Sequence, residues 1–206
     1  MLDIILTAAR AALVTCVLCG VAYPLALTAL GQWLMPTEAN GSLLTNSAGV
    51  VIGSRLIGQH WTGPEWFHGR PSATTGADPK DPSVTVPAPY NAANSGGANL
   101  GPTSKKLAAR LAADRRALEE TQPELRDATL PSDMLTTSAS GLDPDITPAN
   151  AALQVARVAE SRGVPAAEIR ALLEQHVAGR SLGIFGEPRV NVLELNLALQ
   201  SAYHGR

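Results

Sequence analysis

The chain has 206 residues, of which 45% are hydrophobic, and its 16 basic and 18 acidic side chains give a formal net charge of −2. Proteins that bind a phosphate backbone carry clusters of Lys and Arg, and this sequence has no such cluster. Nucleic-acid binding is therefore not expected. The length suffices for one membrane segment followed by a single domain of ordinary size.

The longest apolar stretch runs from Ala11 to Met35 and contains no charged side chain. About 20 mostly apolar residues are needed to cross a bilayer as a helix, so residues 1–35 are predicted to form a transmembrane anchor. The alternative is a cleaved secretory signal, but the stretch exceeds the usual apolar region of about 7–15 residues, and residues 27–29 form a poor cleavage site. Residues 36–206 are then expected to form one soluble domain.

The orientation of a membrane helix is normally set by the Lys and Arg residues close to its ends. Arg10 precedes the apolar stretch, and the first basic residue after it is Arg55. This small difference favours a cytoplasmic N-terminus and an exported C-terminal domain.

Small residues recur every four positions along the same helix, at Ala8, Ala12, Cys16 and Gly20. Such residues lie on one face, where another helix could approach closely, although Ala is also common throughout the chain. Cys16 and Cys19 form a C-x-x-C pattern, which is typical of redox sites in soluble folds. Within a membrane helix we interpret them as small packing residues.

Two short apolar runs between residues 41 and 61 are separated by the polar turn Asn46-Ser47-Ala48-Gly49, which predicts an antiparallel hairpin. Residues 62–102 are rich in Gly, Pro, Ser and Asn. A connection this long is usually functional or disordered, and Asn and Gly adopt left-handed backbone geometry at little cost. Three roles stay open for it: a self-satisfied loop, a partner surface, or a small-ligand site.

Four helices are predicted in the C-terminal half. An amphipathic pattern covers Lys105 to Glu120, with Leu107, Leu111 and Leu118 on one face. Capping residues, first-turn prolines and terminal glycines indicate three more helices. The first runs from Thr147 and Pro148 to Gly163. The second runs from Pro165 to Gly179 with Ile169, Leu172 and Leu173 buried, and the third begins at Asn191 with Val192, Leu195 and Leu199 buried. Together with the small antiparallel sheet, this predicts an α+β fold.

Several side chains could in principle act as acids, bases or metal ligands: His60, His68, Asp78, Asp81, Asp143 and Asp145. None of them has a metal-ligand spacing such as H-E-x-x-H, and no G-x-S-x-G nucleophile motif occurs. An enzyme is therefore not expected. A generic membrane-anchored periplasmic binding protein is the alternative that these observations leave open.

Seven motifs follow one another along the chain: GSRLIGQ (53–59), FHGRPSA (67–73), YN (90–91), SGGANLGP (95–102), SASGLDPDITP (138–148), RVAESRG (157–163) and EPRVNVLELNLAL (187–199). In this order they closely resemble the C subunit of the bacterial high-affinity potassium-transporting ATPase, the Kdp complex. The match covers essentially the whole chain. It departs at Trp66, where Tyr is more usual, and at Ala98, where Ser is common.

The resemblance implies a non-catalytic accessory subunit in the bacterial inner membrane, spanning it once. Its implied partners are a channel-like potassium-translocating subunit, a P-type subunit that hydrolyses ATP, and a very small membrane peptide. ATP and potassium would belong to the complex, and no cofactor or metal is expected on this chain. The chain lacks a D-K-T-G phosphorylation motif, a P-loop and a selectivity-filter repeat.

Two roles are proposed within that family. One is a catalytic chaperone that raises the ATP affinity of the hydrolysing subunit, for which Gln154 would be the nucleotide-related candidate. The other is an exported domain over the outer entrance of the translocating subunit, which stabilises assembly. The two roles conflict on topology because ATP is cytoplasmic. A lone Gln on a helix specifies no nucleotide, so we expect Gln154 to be a surface or capping-network residue.

The Gly-rich loops retain specific polar and aromatic residues without any core-like periodicity. We therefore predict that they form a partner-contact face or the scaffold beneath it, with Arg70, Tyr90, Asn91 and Asn99 as candidates. On the anchor, the corresponding candidates are Ala12, Cys16 and Gly20.

Overall fold

The computed structural model describes residues 1–46 and 48–203, and the chain divides into two compact units, Met1–Ser54 and Arg55–Arg206. Ser47, which belongs to the predicted hairpin turn, and residues 204–206, at the end of the predicted soluble domain, lie outside the described residues. Helices and short antiparallel sheets are both present. The predicted α+β class is confirmed.

The first unit begins with a continuous helical segment of 33 residues, Leu2–Leu34, which is long and apolar enough to cross a membrane by its length and composition. It consists of α1 (Leu2–Val17), a π-helical turn (Leu18–Ala22) and α2 (Tyr23–Leu34). The π-helical turn ends two residues before Pro24, which has no N–H to donate. The helix starts at Leu2 rather than at Ala11, so it includes Asp3 and Arg10.

A short helix α3 (Pro36–Ala39) and a hairpin complete the first unit. Strands β1 (Leu43–Thr45) and β2 (Val51–Ser54) pair in antiparallel fashion, which confirms the predicted hairpin. The Asn46 carboxamide oxygen accepts hydrogen bonds from the Ala48 and Val50 amides at 3.0 and 2.9 Å. Such local bonding is the reason Asn favours turns.

The second unit contains a hairpin that the sequence pattern did not predict, formed by β3 (Thr75–Ala77) and β4 (Thr85–Pro87). The Asp78 and Asp81 carboxylates accept hydrogen bonds from the Lys80 and Ser83 amides in the connecting turn. Strands of three residues that contain Gly or Pro are too short to show the alternation of apolar and polar side chains by which a strand is predicted. The composition of residues 62–102 therefore gave no indication of this hairpin.

Four helices form the C-terminal half: α4 (Lys105–Thr121), α5 (Pro148–Arg162), α6 (Ala166–Gln175) and α7 (Val192–Ala202). The hydroxyl of Thr147 and the carboxamide of Asn191 cap α5 and α7 as predicted, and α5 ends at Gly163 in the left-handed region, with φ of 63°. Helix α6 ends at Gln175 rather than at Gly179, because the residues that follow it join a sheet.

That sheet has three short strands in the order β5 (Asp145–Ile146), β7 (Arg189–Asn191), β6 (Val177–Ala178), and all its pairs are antiparallel. The core lies between α5, α6, α7 and this sheet, with one aromatic ring, Phe67, contributed by a loop. The predicted buried leucines of α4, and Leu172 of α6, are only partly buried. Within this core cluster, the residues that are at most 2% exposed are Phe67, Ile146, Ala151, Val155, Val158, Ile169, Val190, Leu195 and Leu199.

Candidate functional site

Two amide side chains hold the backbone of consecutive loop residues, Phe67 and His68. The Asn196 carboxamide accepts from the Phe67 N–H and donates to the Phe67 carbonyl, both at 2.9 Å. The Gln154 carboxamide accepts from the His68 N–H at 2.8 Å and donates to the His68 carbonyl at 3.0 Å. Each amide thus replaces the partner that a β-strand would supply. We call this pair of side chains the amide clamp.

The clamp is part of a longer buried polar network. Gln154 also donates to the side-chain oxygen of Asn150, one helical turn earlier, at 2.8 Å. Asn150 donates in turn to the Asp133 carboxylate at 3.0 Å, and this carboxylate also accepts from the amide and the hydroxyl of Thr147. The cap of α5 and the clamp are therefore one connected network, which couples the start of α5 to the Phe67–His68 loop.

Of the two places expected for Gln154, the surface or a capping network, the surface is excluded, because the residue is only 3% exposed. Its place in a capping network is confirmed through Asn150. Both amide hydrogens and both lone-pair positions of its carboxamide are occupied, the last by the Arg157 guanidinium at 2.7 Å. A carboxamide can make four hydrogen bonds. Gln154 therefore has no free hydrogen-bonding capacity for a ligand.

Two arginines of α5 hold the segment that precedes Phe67. Arg157 donates to the carbonyls of Pro64 at 2.7 Å and Trp66 at 3.0 Å. Arg162 donates to the Glu65 carbonyl at 2.8 Å, and its guanidinium lies 4.6 Å from the centre of the Trp66 ring. The RVAESRG motif thus stabilises a loop through charge-assisted bonds to carbonyls and a cation–π contact.

The Arg70 guanidinium connects the loop to the segment before α5. It donates to the Asp143 carboxylate at 3.0 Å and, at longer range, to the carbonyls of Thr136 and Thr137. Both charged side chains are roughly three-quarters buried. Arg70 therefore fits the scaffold role better than the role of a free contact residue.

Tyr90 packs where two glycines leave room for its ring. A Cβ on Gly58 would meet the Tyr90 ring and would lie 2.7 Å from the Asp143 carbonyl, and a Cβ on Gly69 would meet the Tyr90 hydroxyl. This hydroxyl donates to the Arg70 carbonyl at 2.7 Å. Burial, together with the Asp143 charge, raises the pKa of Tyr90 to about 12. The phenol is therefore neutral at physiological pH.

The remaining loop candidates differ in exposure. Asn91 is partly buried and donates to the Thr75 carbonyl at 2.8 Å, which ties it to β3. Asn99 is exposed and has a φ of 48°, the left-handed geometry that Asn tolerates. Of the four loop candidates, only Asn99 is exposed.

The acid and base candidates do not converge on a reaction centre. The His68 Nε2–H donates to the Gly63 carbonyl at 2.8 Å, and burial together with Arg157 lowers the pKa of this imidazole. Asp145 pairs with Arg189 at 3.1 Å, and burial raises the pKa of its carboxyl. Within residues 1–46 and 48–203, no three His, Cys, Asp or Glu side chains are placed to hold a metal ion.

An open cleft of about 510 Å³ lies beside the clamp. It is lined by Gly63, Pro64, His68, Leu118, Thr121, Gln122, Arg157, Glu160 and Ser161. Gln154 is not part of this lining. The cleft has no Gly-rich phosphate loop of the G-x-G-x-x-G or P-loop type.

On the anchor, Ala12 and Cys16 lie in α1 at a four-residue spacing, and Gly20 lies inside the π-helical turn. No residue of α1, the π-helical turn or α2 is buried. A Cβ on Gly20 would meet nothing within 4 Å. Cys16 and Cys19 are free thiols.

Sequence reasoning missed Asn196, Arg157 and Arg162 as structural residues. The available signal was a single polar residue on the buried face of an apolar helix, Asn196 in VLELNLAL. Arg157 and Arg162 are five residues apart, whereas neighbours on a helix face are three or four apart, so their spacing does not mark them as a pair. The motifs are nevertheless joined to one another, since Arg70 of the second contacts Asp143 of the fifth.

The chain combines one candidate membrane span with an α+β domain whose loops are fixed by polar networks. The family described as the K⁺-transporting ATPase c chain, KdpC, matches residues 5–201. The chain therefore belongs to the KdpC family. It is an accessory subunit of a potassium-transporting P-type ATPase.

Three relatives illustrate the similarity, and each is named a potassium-transporting ATPase KdpC subunit. The protein of Methylobacterium nodulans is 58% identical over 88% of this chain and 89% of its own length. That of Rhodopseudomonas palustris is 56% identical over 90% and 91% of the two chains. That of Bradyrhizobium diazoefficiens is 55% identical over 92% of each.

Proposed function

We propose that this chain is needed for the assembly and stability of an ATP-driven, high-affinity potassium uptake complex. Its partners in that complex are a channel-like potassium-translocating subunit, a P-type subunit that hydrolyses ATP, and a small membrane peptide. ATP and potassium are bound by the other subunits. The observation that carries the proposal is the 33-residue apolar helix, none of which is buried within the chain.

An exposed apolar helix of this length is stable in a bilayer or against other apolar helices, but not in water. Its small residues at Ala12, Cys16 and Gly20 allow the backbone of a neighbouring helix to come close. Since Gly20 has open space around its Cα, the chain's own fold does not require a glycine there. A partner helix is the feature that would require it.

We place the N-terminus in the cytoplasm and the C-terminal domain on the periplasmic side of the inner membrane. Arg10 is the only basic residue before Arg55, and basic residues favour the cytoplasmic side of a span. A periplasmic domain does not encounter cytoplasmic ATP. This topology favours the assembly role over that of a catalytic chaperone in direct contact with the nucleotide.

The bonding of Gln154 supports the same choice. All four hydrogen-bonding positions of its carboxamide are used within the chain, so contact with a nucleotide would require the clamp to open. Opening it would leave the His68 backbone groups without partners, at a cost of about 1–3 kcal/mol for each buried group. Gln154 acts, in this proposal, as a structural residue of a docking domain.

The test is affinity purification of the C-terminally tagged chain from membranes of potassium-starved cells in mild detergent. We expect mass spectrometry to identify a P-type ATPase and a channel-like subunit in the eluate, with potassium-stimulated ATPase activity. Gly20→Leu should reduce their recovery by separating the helices. Ala22→Leu is the matched control, because it adds the same bulk on a different side of the helix.

Two results would contradict the proposal. Recovery of the chain alone from cells that express those subunits would favour a generic membrane-anchored periplasmic binding protein. Equal recovery with Gly20→Leu and Ala22→Leu would show that the Gly20 face contacts lipid.

A further inference from the structure

A protruding loop between β6 and β7 carries the most exposed large apolar side chains of the second unit within the described residues. Leu182 is 88% exposed, Ile184 72% and Phe185 64%. Monomeric soluble proteins seldom concentrate three such side chains in four consecutive residues without a use for them. We call these three side chains the apolar tip.

The loop that carries the tip is ordered by its own bonds. The Ser181 and Phe185 backbones exchange two hydrogen bonds, at 2.8 and 2.9 Å, and the Gly183 N–H donates to the Arg180 carbonyl at 3.1 Å. At its base, Arg180 donates to both carboxylate oxygens of Glu187, at 2.9 and 2.7 Å. The tip is therefore presented by a preformed loop, which lowers the entropy lost on binding.

Leu182 has a backbone φ of 53°, in the left-handed region. This conformation is unfavourable for a bulky residue and cheap for Gly or Asn. The loop nevertheless holds a leucine there with its side chain in solvent. Because the strained backbone at Leu182 does not serve to bury its side chain, it indicates that this side chain has a function other than stabilising the fold.

The tip precedes, by a few residues, a segment that contacts Arg55, the first residue of the second unit. The Arg55 carbonyl accepts a hydrogen bond from the Asn191 side chain at 2.9 Å, and the Arg55 guanidinium pairs with Glu194 at 2.5 Å. Phe185 lies six positions before Asn191, so this member of the tip is at most about 22 Å along the chain from Asn191.

We infer that the apolar tip inserts into the surface of the bilayer that holds the N-terminal helix, as a second and peripheral membrane contact. This inference rests on the proposed membrane anchoring. A convex tip of Leu, Ile and Phe suits the boundary between headgroups and acyl chains. A tip this small binds weakly on its own, but the covalent tether keeps it at a high effective concentration near the lipid.

The test uses the full chain reconstituted alone in liposomes, so that no other subunit can cover the tip. A fluorophore sensitive to polarity is attached at Ser181→Cys in a Cys16→Ala, Cys19→Ala background. Lipids with a spin label near the headgroup should quench it and shift its emission to the blue. The same fluorophore at Ser161→Cys, another exposed serine, should be neither quenched nor shifted.

Leu182→Asn separates function from folding. Asn tolerates the left-handed region, so we expect the thermal midpoint to be unchanged or higher while the quenching at Ser181→Cys falls. Ile184→Asp should reduce the quenching further. If the quenching falls while the thermal midpoint does not, the side chains of the tip contact lipid and are not needed for the stability of the fold.

Flotation with the liposomes is measured on every sample and reports the anchor helix separately. A chain that does not float overturns both the anchoring and this inference. A chain that floats with equal signals at Ser181→Cys and Ser161→Cys overturns the tip contact alone. Protection of the Ser181 position only in the assembled complex would mean that a protein partner covers the tip, and it too would overturn the inference.

Discussion

Replacing Gln154 by Ala tests whether the amide clamp stabilises the domain. The change leaves the N–H and carbonyl of His68 without partners and removes the donor to Asn150. An unsatisfied buried group costs about 1–3 kcal/mol, so we expect a loss of about 3 kcal/mol in the free energy of unfolding. For a domain of this size that corresponds to a fall of about 6–12 °C in the unfolding midpoint.

The assay is thermal or urea unfolding of the full chain in detergent, with Gln175→Ala as the control. Gln175 is an exposed helical glutamine, and its replacement should change stability by less than about 0.5 kcal/mol. Asn196→Ala removes the other half of the clamp. Since Asn196 and Gln154 hold adjacent residues, the double variant should lose less than the sum of the two single losses.

One combination of results would refute the structural role of Gln154. If Gln154→Ala and Gln175→Ala unfold at the same midpoint, and Gln154→Ala raises the KM for ATP of the assembled complex, then Gln154 acts on the nucleotide. The structural interpretation of the clamp would then be wrong.

Four further outcomes are expected. Gly58→Ala should destabilise the domain by about 2 kcal/mol or more, since its Cβ would lie 2.7 Å from the Asp143 carbonyl; an unchanged melting curve would contradict this. The Tyr90 phenol should titrate at about 12, measured by phenolate absorbance. Because this pKa is raised above the unfolded value of about 10, the associated stability is complete below pH 10 and is lost as pH rises through about 12. Gly20→Leu should lower the yield of assembled complex, measured against Ala22→Leu. Asn99→Gly should reduce recovery of the partners while the melting curve changes little, because Asn99 is exposed and Gly also tolerates its left-handed φ of 48°; unchanged recovery would make it a purely structural residue.

The motifs that carry the family resemblance have a common physical role in this chain. Arg157 and Arg162 hold the loop before Phe67, Arg70 pairs with Asp143, and Gly58 admits the Tyr90 ring. Most of these polar groups are satisfied inside the domain. We therefore expect the partner-binding surface to include exposed residues beyond the motifs.

Local features of the sequence determined much of this architecture. The apolar stretch predicts the long helix because its length alone suffices for a membrane span. The Thr147 and Asn191 caps, Gly163, and the Asn46 turn were all predictable, because capping and turn formation depend on contacts within four residues. The α+β class followed from these elements.

Long-range contacts were decided only by the tertiary structure. The sequence left Gln154 open as a surface or a capping-network residue, because no local pattern reveals a partner 86 positions away at His68. The β3–β4 hairpin was too short to show alternation, and α6 stopped at Gln175 because Val177 and Ala178 pair with β7. The clamp exists because a buried loop backbone must find hydrogen-bond partners, and only the packing of α5 and α7 brings Gln154 and Asn196 to it.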